Sequence, residues 1–193
     1  MARIGFKLAK YNKHNSSDTK FDTLTGNKVP DFEKVVDEKF APNYASAELY
    51  ANDGLAEHDD SFVDGQLTIT IADDKDEFVA DILGQTISNS EVTCNESDIA
   101  PEVGYGHIIP KVYNGVRKYK VEFFPRVRFT KITSDNKTKG ANIEFNTSSV
   151  EGKVMRLDKS FNGLTAGTWE KHQTFDTLSA AETYLDGLLT PTA

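Results

Sequence analysis

Hydrophobic and polar residues alternate most regularly between residues 116 and 133. Tyr119, Val121, Phe123, Val127 and Phe129 take odd positions, and Lys118, Lys120, Glu122, Arg126 and Arg128 take even ones. A period of two predicts a β-strand with one apolar and one cationic face. Asn114-Gly115, just before it, predicts a tight hairpin with 108–113. Pro125 cannot donate to a ladder and marks a bulge or an edge. Beyond a turn at 137–140, Ile143 and Phe145 continue the alternation. Residues 66–72 form a second clear strand, with Leu67, Ile69 and Ile71 on one face. Shorter strands are expected at 3–11 (Ile4, Phe6, Leu8), 47–51 and 153–157.

Two segments carry helical periodicity. In 74–84, Asp74 and Glu77 have capping-box spacing, Phe78, Val79, Ile82 and Leu83 form a stripe, and Gly84 supplies the stop. Asp73, Asp74, Asp76 and Glu77 suit the positive end of that helix dipole. In 179–189, Ser179 and Glu182 repeat the box, Ala181, Tyr184, Leu185, Leu188 and Leu189 line one face, and Pro191 ends it. Three stretches lack a period: 12–46, expected as an extended arm or loop; 52–65, a protruding loop joining strands 47–51 and 66–72; and 85–103, a polar connector. The expected fold is mainly β (α+β). It is an antiparallel β-sandwich or barrel with a packed central helix (about 74–84) and a C-terminal helix (about 179–189), in one domain spanning 1–193.

Charge is distributed unevenly. Residues 111–140 hold nine Lys/Arg and two Asp/Glu, whereas 48–102 hold one Lys and fifteen Asp/Glu, in a chain of net charge −8. Such a split suits a molecule whose faces seek opposite partners. The single cysteine, Cys94, excludes an internal disulfide. No apolar run is long enough for a signal peptide or a membrane span.

No reaction chemistry stands out. His14, His58, His107 and His172 are scattered and Cys94 has no cysteine partner, which argues against zinc. The acidic runs Asp59-Asp60 and Asp73–Glu77 lack the EF-hand ligand order. There is no P-loop, dinucleotide fingerprint or nucleophile elbow, and Gly104-Tyr105-Gly106 reads as close backbone packing or a strand start. No cofactor and no catalytic residue is expected, and the chain does not read as an enzyme. Trp169, the one tryptophan, reads as a packing anchor for the C-terminal segment.

The cationic row Lys118, Lys120, Arg126 and Arg128 has three readings. It can contact nucleic-acid phosphates with Phe124 stacking a base, although a pI near 5.0 is unusual for a dedicated binder. It can meet the acidic loop, or the acidic helix start, of a second copy in a head-to-tail contact. It can also be a solvated strand face without a partner.

The segments AELYANDGLAEHDDSF (47–62), GYGHIIPKVYNGVRKYKVEFFPRVRF (104–129) and TKGANIEFNTSSVEGKV (138–154) resemble, in order and spacing, the major tail (tail tube) proteins of long, non-contractile-tailed bacteriophages and prophages of Gram-positive hosts. The resemblance runs from near residue 1 to about residue 155 and rests on structural motifs. It implies a virion tail component, assembled in the host cytoplasm, in which hexameric rings stack into a hollow tube. A sheet from each subunit builds the inner barrel, and a helix packs outside it. Implied partners are further copies of the chain, a tape-measure protein, a tail terminator and tail-tip or baseplate proteins. DNA would cross the lumen without specific binding, and no membrane is involved. No appended immunoglobulin-like module is expected. Under this reading loop 52–64, with Leu55 and Phe62 as apolar contacts beside Asp59 and Asp60, joins arm 12–46 in ring stacking. Lys118, Lys120, Arg126 and Arg128 are the complementary charges. The alternatives are a nucleic-acid-binding β module and a head–tail joining or tail-terminator ring.

Overall fold

The computed structural model describes residues 2–51, 54–89, 91–134 and 146–192, with the backbone alone for Ala2, Asn27, Ala51 and 54–56. The chain is mainly β with two helices, as the periodicity predicts. Its strands are β1 (Ala2–Arg3), β2 (Leu8–Lys13), β3 (Val35–Ala51), β4 (Gly54–Ile71), β5 (Thr86–Ser88), β6 (Glu91–Thr93), β7 (Glu102–Tyr113), β8 (Val116–Ser134), β9 (Ser148–Val154) and β10 (Lys171–Phe175). The helices are α1 (Asp76–Leu83) and α2 (Leu178–Leu189).

One antiparallel sheet organises the molecule. β1 and β2 share one edge of β7, β7 pairs with β8, and β8 gives its far edge to β10 at 119–123 and to β9 at 127–134. β9 then pairs with β4, and β4 with β3. The sheet curls until β3 faces β7 and β8: the Phe40 ring lies 4.7 Å from that of Phe124 on β8, and the Tyr105 hydroxyl on β7 donates to Glu38 at 2.6 Å. Inside the curl, Leu67, Ile69, Tyr105, Phe124, Val127 and Phe129 form one core, which α1 closes with Phe78 and Ile82. Outside it, Ile108, Val121 and Phe123 form a second core under Leu185 and Leu189 of α2. Gly104 and Gly106 let α2 lie on the strand backbone. A Cβ at Gly106 would stand 2.4 Å from Leu185 Cδ1, and one at Gly104 would stand 2.4 Å from the Phe21 ring.

The hairpin at Asn114-Gly115 is present, with φ of 48° and 77° as a primed turn requires. Pro125 sits in a bulge, where two residues of β8 fit between the pairs Tyr105–Phe124 and Val103–Val127. The bulge corrects the expected single apolar face. Before it, the odd residues Val121 and Phe123 face α2; after it, the odd residues Val127 and Phe129 face the inner core.

Further expectations change. Segment 12–46 is no free arm: β2 runs to Lys13, β3 starts at Val35, and Phe21, Val29 and Phe32 between them are buried. Three irregularly spaced anchors hold this segment down without producing a period. Residues 54–65 are strand rather than loop, paired along their length with β3. Their alternation was invisible because neither face is buried. Both capping boxes are displaced. Asp74 accepts hydrogen bonds from Ser134 and Ser148 instead of capping α1, and Thr177, not Ser179, caps α2 through the Ala180 amide. Gly84 does end α1 in the left-handed conformation. The strand expected at 153–157 lies at Ser148–Val154, 85–103 contains the β5–β6 hairpin, and β10 gave no period. The turn at 137–140 and the alternation at Ile143 and Phe145 lie outside the described residues.

Candidate assembly surfaces

The β3–β4 pair outruns the sheet. β9 supports β4 only from Gly65 to Ile71, so from Asn43 and Asp64 to the tip the two strands form a ribbon with no third strand among the described residues. Nine residues at about 3.3 Å each make it roughly 30 Å long. Sequence 43–64 contains six Asp/Glu and no Lys or Arg. Tyr44, Leu49, Tyr50 and Val63 are exposed apolar side chains on it. A two-stranded ribbon alone in water is marginally stable, and its edges offer unpaired backbone groups.

The register assigns its faces. Tyr44–Phe62, Ser46–Asp60 and Glu48–His58 are opposite pairs on one face; Ala45–Ser61, Ala47–Asp59 and Leu49–Glu57 are on the other. Phe62 lies at the base, stacked on Trp169 at 4.2 Å and 9°, so it anchors the ribbon to the core instead of serving as a free contact. Asp60 bonds His58 at 3.0 Å, and hydrogen bonds from Ser46 and His58 hold its carboxyl below the usual range. Asp59 and Glu57 are exposed, with no ion pair among the described residues. Leu55 pairs through its backbone with Tyr50, and its side chain lies outside the described residues.

The cationic row is not a row. The bulge at Pro125 sends Lys118 and Lys120 to the inner face and Arg126 and Arg128 to the outer one. All four have carboxylate partners in the same chain. Arg126 holds Glu102 with two hydrogen bonds of 2.6 and 3.0 Å and also pairs with Asp158; Arg128 reaches Glu102 at 2.7 Å. Lys118 meets Asp176 at 2.8 Å and Lys120 meets Glu122 at 2.5 Å. Sequence alternation could not reveal this, because the partners lie up to 58 residues away (118 to 176). Phe124 is buried and cannot stack a base.

Sequence reading also missed a chain of buried ionisable groups on the inner face. His107 stands between Glu38 and Glu122, each at 3.3 Å, and Arg3 and Lys120 both reach Glu122. Arg3, Glu38 and His107 border a cavity of about 230 Å³ between β1 and the start of β3. Burial lifts the Glu38 carboxyl above its usual range. Burial works the same way on Glu122, but hydrogen bonds from His107 and Lys120 outweigh it and hold that carboxyl well below the usual range. Glu122 therefore favours the folded state when charged, and unfolding takes up a proton in acid. The Glu122 contribution should be complete above about pH 4.3, the unfolded value, and fade as pH falls further. The Tm gap between wild type and Glu122→Gln is expected to be largest at neutral pH and to narrow in acid. A gap independent of pH would contradict this.

His14, Asp18 and Glu102 place ligand-type atoms within 4.8 Å of one another. The group reads as a structural knot rather than a metal centre. Glu102 is held by two guanidinium groups, and the His14 ring bonds Asp18 and the Pro125 carbonyl, both at 2.8 Å. Its ring also stacks on Phe161 at 3.9 Å.

No protein-family model matches the sequence, and no curated protein matches it. Among the described residues, no helix is long and apolar enough to cross a membrane.

Proposed function

We propose that this protein is a structural subunit of a bacteriophage-type tail tube, which forms rings that stack into a hollow tube through which DNA passes. The ribbon carries this reading. An acidic two-stranded projection with exposed tyrosines and leucine is costly for a monomer and useful in an assembly. A curled antiparallel sheet with a helix outside it also suits the architecture that the sequence resemblance implies. The intramolecular pairing of Lys118, Lys120, Arg126 and Arg128 disfavours the nucleic-acid-binding alternative, since phosphate contacts need free cations. Assembly of the purified full chain, followed by light scattering and negative-stain microscopy, tests the proposal. Tubes support it. Single rings that never stack would indicate a joining or terminator protein instead.

A further inference from the structure

Arg3, Lys111 and Lys118 occupy one rung across β1, β7 and β8: Arg3 is directly opposite Lys111, and Lys111 directly opposite Lys118. Residues in such register have Cβ atoms about 5 Å apart on the same face, and like charges placed so repel. Lys120 joins them two residues away on the same strand and face. Against these four cations stand Glu122, shared by Arg3 and Lys120, and Asp176 on Lys118. Lys111 has no ion pair among the described residues. Burial, with Lys120 and Arg3 beside it, lowers the pKa of its ammonium. Of the three rung residues Lys111 alone lacks a carboxylate partner among the described residues, and its neighbours share theirs.

The ribbon carries the matching deficit. Glu57 and Asp59, two residues apart on one strand, project about 7 Å apart from a face that also carries Ala45, Ala47 and the exposed Leu49. The rung from Arg3 to Lys118 spans two strand spacings, about 10 Å. The strand order gives the geometry of contact. Followed through β9 and β8, the ribbon projects toward the end of the sheet that holds the Asn114-Gly115 turn, which is also the end of the rung. Subunits standing side by side in one orientation would place the ribbon of one at the level of the rung of the next. Subunits stacked end to end do not.

We infer that the Arg3–Lys111–Lys118 rung is the receptor for the acidic ribbon of a second copy of this chain, the lateral neighbour within a ring, with Glu57 and Asp59 as the contacting carboxylates. This rests on the tube reading and assigns the ribbon to ring closure, not to ring stacking. Ribbon and rung are different patches of one subunit, as a closed head-to-tail ring requires.

Charge reversal tests it in the full chain. Lys111→Glu with Lys118→Glu is expected to reduce assembled material at least about tenfold, since like-charge juxtaposition in an interface is strongly unfavourable. Light scattering should show monomers. Glu57→Lys with Asp59→Lys should do the same. All four changes in one chain should restore assembly, and only an interface does that; a folding defect in either pair would persist. Wild-type tubes that survive the Lys111/Lys118 reversal overturn the inference and leave the tube reading standing. Isolated rings from that variant overturn it in favour of ring stacking, and a wild-type dimer that grows no further overturns it in favour of a closed two-fold contact. Salt-sensitive binding of a DNA duplex by wild type, lost in the variant, overturns it in favour of nucleic acid. If wild type never assembles, the tube reading itself fails.

Discussion

Replacing residues 45–61 with Asn-Gly is expected to leave a well-folded chain that forms no tubes. Tyr44 and Phe62 are directly opposite in the ladder, so a two-residue primed turn can join them without a change of register. The excision stops short of Phe62, and therefore keeps its stack on Trp169 and every side chain of the two cores. The residues it removes whose side chains are described, 45–50 and 57–61, are all exposed. The Tm of the shortened chain should fall within a few degrees of the unassembled wild-type subunit, because surface changes away from the core are worth about 0.5 kcal/mol or less. Assembly should be lost outright rather than weakened. Normal tubes from this variant would remove the ribbon from the account, and loss of cooperative melting would show that the ribbon belongs to the fold.

Glu102→Ala should produce the largest loss of stability among the charge deletions. Glu102 is the shared anion of Arg126 and Arg128, and it lies 3.9 Å from His14. Its side chain is 13% exposed and that of Arg126 is 18% exposed, so water compensates poorly for the lost bonds, and Arg126 keeps only Asp158, which is 70% exposed, as a carboxylate partner. Removing one partner of such a pair costs about 3 kcal/mol. For a chain of this length that corresponds to a Tm lower by roughly 6–12 °C. Arg128→Ala should cost under about 1 kcal/mol, because that side chain is 43% exposed and Arg126 still neutralises Glu102. The melts belong in the ribbon-deleted background, where assembly cannot add its own stabilisation. Equal melting of Glu102→Ala and its parent would mean that these arginines are free for a partner after all.

The contrast between the two arginines and the two lysines shows what local pattern can reveal. The alternation in 116–133 identified the strand, its hairpin turn and the bulging proline correctly. It could not show that one extra residue at Pro125 changes which face each later side chain takes, since a register shift is a property of two strands. The ion pairs followed the same logic: Glu102, Asp158 and Asp176 are adjacent to the cations only after the sheet forms. Helix α2 was legible because its apolar stripe meets a core. The ribbon was not, because both of its faces are wet and a strand with no buried face has no period to read. Segment 14–34 stayed illegible for the opposite reason, since Phe21, Val29 and Phe32 are buried at irregular spacing by loops that obey no repeat. The charge asymmetry was visible in the sequence itself. The Arg3–Lys111–Lys118 rung itself needed three strands to be brought together.

The central claim is that the chain builds a tube, and the most direct measurement is negative-stain microscopy of the purified full chain across rising concentration, with light scattering on the same samples. The account predicts hollow tubes of uniform diameter, built from stacked rings, that appear above a threshold concentration. A monomer of constant mass at every concentration, with an empty field, would contradict it.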